Sequence, residues 1–385
     1  VPLLSQLFWH QLVTRNGAGD EGAFAAWQED PALSIRPRTY HKRPVPLAIS
    51  VTPLKIDDAT RERVKILFIA KHALWEGDSH PEDGNHAIYH RQMREVLEGL
   101  GLNLQIADSF EVLFDKPEVD FVFPLLNRAG FFNSEMLLPL LCERAGIPYL
   151  GASPILRGLG DDKHLAKRAA VDAGLPTAPW AIYRKGAPID PSKCPKADRY
   201  VIKPNASSAS WGVSDACDWA GVEAEVHRIH HDASNGGQDA IVEPFLDGSD
   251  VEVPVITLNG EPHMLPMMIF RQDDPTHLRR YHEKRDLADH GQSYSLAQLE
   301  HPEIKAQVEK LTRQYWEEFR PFDYGRFEFR VNEETGEVRF LEVNLNCNLW
   351  SEKVIGQAAK LAGWTHAELI ETIVAEGLRR HGLMS

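Results

Sequence analysis

Two carboxylates face each other across a hairpin written into residues 325–344. In "GRFEFRV", Phe327, Phe329 and Val331 alternate with Arg326, Glu328 and Arg330. After the turn "NEETG" the chain returns as "EVRFLEVNLN", where Leu341, Val343 and Leu345 alternate with Glu342, Asn344 and Asn346. Pairing about the turn puts Glu328 beside Glu342 on the polar face. Carboxylates this close repel, by about 0.2–1 kcal/mol when exposed and by more when buried. A divalent ion removes the conflict. Oxygen donors from Glu328, Glu342 and Asn344 suit a hard ion, Mg²⁺ or Mn²⁺, of the kind that bridges carboxylates to phosphates. A single E-x-N would be a solvated hairpin face; the paired set is what points to metal.

Two further stretches carry weaker signals. In "RYVIKPNASSASWGVS", a hydrophobic strand ends at Lys203-Pro204 and small residues follow up to Trp211-Gly212. Small side chains let backbone N–H groups approach an anion beside the lysine, although the P-loop pattern is absent. In "IVEPFLDGSDVEV", an apolar strand runs into Glu243, and Asp250 and Glu252 open the next strand. Such a linker can bond an adenine edge through its backbone while an acid reaches ribose hydroxyls. Taken singly, these are also what a surface loop and a turn with acids look like. Cys347 has no neighbour that would activate it and reads as packing. "HRIHH" at 227–231 reads as a polar helix face.

These groups need a large scaffold, and 385 residues exceed one compact core, so two or three domains are expected. Hydrophobic content of 43% and charged content of 25% fit a globular protein. A net charge of −14 makes nucleic acid an unsuitable partner. No apolar run approaches the ~18 residues of a membrane span, and the N-terminus lacks the pattern of a secretory signal. Four dispersed cysteines without C-x-x-C spacing favour a reducing cytoplasm.

Residues 1–62 read as an extension, with a short helical pattern near Leu3–Val13 and a Pro-rich basic passage. From Val64, strand and helix alternate: "VKILFIA", "YHRQMREVLEGLGL", "VDFVFPLL" and "EMLLPLLCERAG" form an α/β unit closing near Gly151 without G-x-G-x-x-G. A helix over "DDKHLAKRAAVDAG" leads to strands at "RYVIKP", "DAIVEPF" and "VEVPVITLNG", the last turning at Asn259-Gly260 into a hairpin. The final third predicts a helix at 302–319, the glutamate hairpin, and a closing helix through Leu369.

In order and spacing, "AGIPYLGASPILRGLGDDKHLAKRAAVDAGLPTAPW", "YVIKPNASSASWGVS", "VEPFLDGSDVEV" and "GRFEFRV…RFLEVNLN" resemble the ATP-grasp superfamily, in its D-alanine–D-alanine ligase branch. The resemblance runs from about Phe121 to Leu378. It implies an α/β (α+β ATP-grasp) fold: an extension over 1–62, a pre-ATP-grasp α/β domain over 63–158, and two α+β subdomains, 159–246 and 247–385, that clasp ATP. It also implies roles. Lys163 and Lys203 match the lysines on ATP phosphates, and Ala209, Ser210, Trp211 and Gly212 the loop over them. Glu243, Pro244, Phe245 and Leu246 match the adenine linker, and Asp250 the ribose acid. Lys284 matches a lysine of the capping loop, and Arg326 the arginine that steadies an acyl phosphate; with Ser210 these are the expected catalytic groups. Glu328, Glu342 and Asn344 match the Mg²⁺ ligands, with Glu in place of the usual Asp at the first.

The activity so implied is ATP-dependent joining of a small-molecule carboxylate to an amine, on amino acids or a specialised metabolite, by a cytoplasmic enzyme; a homodimer rests on resemblance only. Three positions depart from the branch. "AKHALWEGDSHPEDG" replaces G-G-x-S-x-E, "LLNRAGFFNSE" replaces H-G-x-x-G-E-D-G, and "NCNLWSEK" replaces a P-G-M-like turn. All three concern substrate recognition. Arg128 would favour an anionic group and Trp350 would wall a larger pocket. A divergent D-alanine–D-alanine ligase, a phosphotransferase and a non-catalytic nucleotide-binding regulator stay open at this point.

Overall fold

Among the described residues three sheets, each with helices packed on it, organise the chain. The computed structural model describes residues 52–125, 134–207, 210–232, 237–274, 276–279 and 294–385. The expected helix near Leu3–Val13, Arg128, Ala209 and Lys284 lie outside the described residues.

The first sheet is parallel, in the order β2-β1-β3, with β1 at Lys65–Ile69, β2 at Asn103–Ala107 and β3 at Phe121–Pro124. Helix α1 (Asp58–Arg63) precedes it, and α2 (His86–Gly99) and α3 (Leu137–Ala145) belong to the same unit. Leu67, Ile69, Val122, Leu138 and Cys142 share one core. β2 goes unread in the sequence because it is a half-exposed edge strand with no continuous apolar run. Residues 52–63, the described part of the expected extension, are tied into the fold. The N–H groups of Leu54 and Ile56 donate to Thr372 and Glu371 at 3.0 Å, and α1 is capped by the Asp57 side chain.

The helix expected over "DDKHLAKRAAVDAG" is α5 (Lys163–Asp172), and α4 (Pro154–Asp161), which the sequence reading does not anticipate, precedes it. Asp162 separates them: its extended backbone stops α4, and its carboxylate caps α5 by accepting from Leu165 N at 2.9 Å. The second sheet is antiparallel in the order β4-β7-β5-β6: β4 Ala181–Tyr183, β5 Tyr200–Pro204, β6 Ser214–Ala216 and β7 Ala240–Pro244. Helix α6 (Trp219–His230) covers it through Val222, Val226 and Ile229.

The third sheet runs β11-β10-β8-β12-β13, with β9 also paired to β8. Its strands are β8 Ser249–Leu258, β9 Glu261–Met264, β10 Met268–Gln272, β11 Tyr294–Gln298, β12 Tyr324–Asn332 and β13 Glu337–Asn344. Asn259 and Gly260 take positive φ at the β8–β9 turn, as that turn's chemistry requires. Helix α7 (Pro302–Phe319) buries Val308, Tyr315, Trp316 and Phe319 against Phe327, Phe329, Phe340 and Val343. The closing helix is two: α8 (Val354–Leu361) and α9 (His366–Arg380). Thr365 and Glu368 form a capping box, which restarts the helix just where a single one was expected to end.

Candidate active site

The glutamate hairpin brings its two carboxylates together through a one-residue shift of register. Glu328 stands opposite Glu342, and Arg326 opposite Asn344. On its other side Glu328 faces Glu252 of β8, so three glutamates stand in a row across three strands. The register shifts between Glu328 and Phe329, leaving Leu341 as the extra residue of a bulge. This corrects the plain alternation. Val338 and Phe340 are buried before the bulge and Val343 after it, while Leu341 joins Glu342 in lining a cleft instead of anchoring the core.

That cleft lies between the second and third sheets. It is lined by Lys163, Lys203, Ser210, Glu243, Pro244, Phe245, Leu246, Asp250, Glu328 and Glu342, ten of the residues singled out from sequence. Trp211, Gly212, Arg326 and Asn344 are described but stand outside the lining. Gly212 has a structural duty: at φ +69° a Cβ would lie 2.7 Å from Pro204. Ser210 also holds a positive φ of 58°.

Local structure explains how each lysine reaches the cleft. Lys163 is the first residue of α5, and its N–H donates to the Asn205 carbonyl at 3.0 Å. The Asn205 side chain accepts from His164 N at 2.9 Å and donates to Asp162 at 2.8 Å, so it locks the start of α5 to the end of β5. The Lys163 Nζ meets the Ser207 carbonyl and lies 3.8 Å from Glu342. Lys203 ends β5 and pairs with Glu243, whose other oxygen lies 3.0 Å from Lys167. Glu243 is 3% exposed. Burial pushes its carboxyl up, but Lys167 and Lys203 outweigh burial and bring it down to about 2. For Lys203, burial opposes the charge and Glu243 overcomes it, raising the ammonium above its usual range. For Lys167 burial prevails and lowers it.

Arginines hold the other acids. Arg326 reaches Glu252 at 2.9 Å and Glu328 at 2.5 Å. Burial works against its charge, yet the two glutamates keep it more firmly protonated than usual. Arg330 donates to the Leu246 carbonyl and to Asp250, both at 2.9 Å, tying the linker to the acid after it. Phe245 packs under Arg199, whose guanidinium lies 4.0 Å from the ring centre. Cys347 is buried and its thiol is pushed up to about 12, as expected of a packing residue.

Lys167, Asn205, Glu252 and Arg330 were given no role from sequence. Lys167 had a signal, since it follows Lys163 by four residues on one helix face. Arg330 shares the polar face with Arg326 and Glu328. Asn205 had none, because its partners are 43 residues away in the chain.

A small antiparallel sheet and a larger one closing on a cationic and acidic cleft make this an ATP-grasp protein, and the solved structures agree. A Bacillus anthracis D-alanine–D-alanine ligase, crystallised with ATP, superimposes with a TM-score of 0.65 at 17% identity, over 83% of this chain and 99% of that one. At that identity the likeness establishes the fold. Residues 170–375 match the family described as D-ala D-ala ligase C-terminus, and the chain belongs to that family. It is an ATP-grasp ligase, an enzyme class that forms C–N bonds. Among curated relatives, the uncharacterized protein y4sG of Sinorhizobium fredii is 29% identical over 254 residues, covering 63% of this chain and 70% of its own length. A Clostridium beijerinckii D-alanine–D-alanine ligase is 26% identical over 258 residues, covering 67% and 81%. Among the described residues no helix is long and apolar enough to cross a membrane.

Proposed function

We propose that this ligase joins a carboxylate to an amine through an acyl phosphate made from ATP, on substrates other than a pair of D-alanines. The observation that carries the reading is a single cleft faced by Lys163, Lys203, the Glu243–Leu246 linker, Asp250 and the opposed Glu328 and Glu342. Lys163 and Lys203 offset the charge of ATP phosphates, and Glu243 keeps Lys203 extended and protonated. Arg330 holds Asp250 and the linker ready for ribose and adenine. Glu328, Glu342 and Asn344 would hold Mg²⁺ or Mn²⁺: they are hard oxygen donors, and the glutamates occupy opposed register positions where Arg326 on Glu328 and Lys163 beside Glu342 already answer their charge. When bound, such an ion screens the phosphate oxygens.

The substrate carboxylate oxygen attacks the γ-phosphorus and ADP leaves with the bridging oxygen. The amine nitrogen then attacks the acyl carbon, phosphate departs, and the amine's proton passes to phosphate or solvent. Positioning and charge do the work. Arg326 is offered as the group steadying the acyl phosphate, and Lys284 and Ser210 as groups closing over it. The three sheets support a division at 63–158, 159–246 and 247–385. The four free cysteines support a reducing compartment, the cytoplasm.

The substrate reading rests on the three departures from G-G-x-S-x-E, H-G-x-x-G-E-D-G and the P-G-M-like turn. ADP release across a panel of carboxylate and amine pairs tests it, with product masses identifying the amide. Turnover best with D-alanine alone would return the protein to the D-alanine–D-alanine ligases. Hydroxylamine should trap an acyl hydroxamate; a stable phosphorylated product without amine would replace the ligase reading with a phosphotransferase. Glu342→Gln should cut turnover at least about a hundredfold with an unchanged melting temperature. Activity at the wild-type level in that variant would remove Glu342 from the metal site.

A further inference from the structure

The first sheet has its own unassigned constellation. β1 is its central strand, with β2 on one side and β3 on the other, so the connections reverse direction at its end. In open parallel sheets, ligand crevices open beyond the carboxyl ends of the strands at such a point. The segment leaving β1 there is "AKHALWEGDSHPEDG", one of the three stretches that depart from the ligase pattern.

Within it, ligand atoms of His72, His80 and Asp83 lie within 4.8 Å of one another. His80 and Asp83 are brought together by a tight turn, closed by His80 N to Gly84 O at 3.0 Å and Gly84 N to His80 O at 2.8 Å. This turn folds back on His72, whose Nε2 is 2.8 Å from Asp83 Oδ2. A tetrahedral ion holding N and O ligands at about 2.0–2.1 Å separates them by roughly 3.3 Å, so the His72–Asp83 pair at 2.8 Å would open slightly, and the cluster as a whole, with ligand atoms within 4.8 Å of one another, brackets that spacing. His72 is buried and the Trp75 ring lies 4.9 Å from that of His80, so the cluster has one dry wall. Lys71 Nζ meets the same Asp83 oxygen, so this position already attracts a cation. Lys71 is half exposed and free to swing into solvent when a dication takes its place.

We propose that His72, His80 and Asp83 form a second metal site, for a divalent ion of the zinc class, with three protein ligands and a fourth position for water. Two imidazoles and a carboxylate select a borderline ion over Mg²⁺, which separates this site from the glutamate hairpin. The site is coupled to the catalytic sheet. Helix α2 starts at His86 beside the cluster, and its Tyr89 hydroxyl accepts from Leu349 N at 3.0 Å, just past β13. The proposal does not depend on the ligase chemistry.

Chelator-treated full-length protein titrated with Co²⁺, without nucleotide, tests it. One equivalent should give the visible absorption of a four-coordinate ion, and Zn²⁺ should displace it. His80→Ala and Asp83→Asn should each weaken Co²⁺ binding at least about tenfold, with apo melting temperatures near wild type. Glu342→Gln should leave binding unchanged. The exposed pair His227 and His231, stacked at 5.9 Å on one helix end, is the competing site. Loss of binding in the His227→Ala/His231→Ala variant, with retention in His80→Ala, would overturn the assignment. So would a wild-type protein that binds neither ion.

Discussion

At the scale of single residues, the arrangement with the most at stake is Glu243 between Lys203 and Lys167. Their charges are buried, so none is cheap to leave unpaired. Because the folded Glu243 titrates at about 2, below its unpaired value of 4.5, its contribution is complete above that value and fades as pH falls toward 2. The stability difference between wild type and Glu243→Gln, read from urea midpoints, should therefore narrow by about 2 kcal/mol between about pH 5 and about pH 3. A constant difference would mean that the lysines do not hold the carboxylate. Cys347, although just past β13, has no such leverage, since its thiol stays protonated at neutral pH.

At the scale of elements, two interruptions of regular structure build the cleft. Asp162 breaks one long helix into α4 and α5 and so delivers Lys163 at a helix start. The bulge at Leu341 turns one apolar side chain from the core toward the cleft and shifts the register by one, which is what sets Glu342 opposite Glu328. Between β7 and β8 the linker is held from β12 by Arg330, through Leu246 and Asp250. Arg330→Ala should raise the KM for ATP about tenfold while kcat stays within about twofold, because only ground-state positioning is lost. Steady-state kinetics decide this, and an unchanged KM would remove Arg330 from nucleotide binding.

At the scale of the whole molecule, the first sheet must be fixed relative to the third. Asp323, fully buried at the start of β12, accepts from Arg380 at 2.7 and 2.8 Å and from Gly151 N at 2.6 Å. One carboxylate thus joins α9, the exit of the first α/β unit and the β12–β13 hairpin. Arg380→Ala leaves that charge buried with little compensation and should cost about 3–5 kcal/mol in chemical denaturation, with partial recovery in Arg380→Lys. A loss under about 1 kcal/mol would show that Asp323 finds another partner. The Tyr89–Leu349 bond is a second tie, reaching the segment where this chain departs from its relatives.

The sequence alone determined the polar character of the hairpin face that carries Glu328 and Glu342, whereas the turn's register by itself would set Glu328 opposite Leu341 and the bulge is what brings Glu342 there. It also determined the lysines, the linker and the order of sheets, because dispersed motifs in fixed order leave few alternatives. Only the tertiary structure decided that Leu341 bulges, that Lys167 shares Glu243, that Asn205 clamps α5, and that Glu252 completes the acidic row. Each of these depends on partners distant in the chain, which no local pattern records. The same holds for His72, His80 and Asp83: the residues are plain in the sequence, but a tight turn folding back on a strand end is what brings them together.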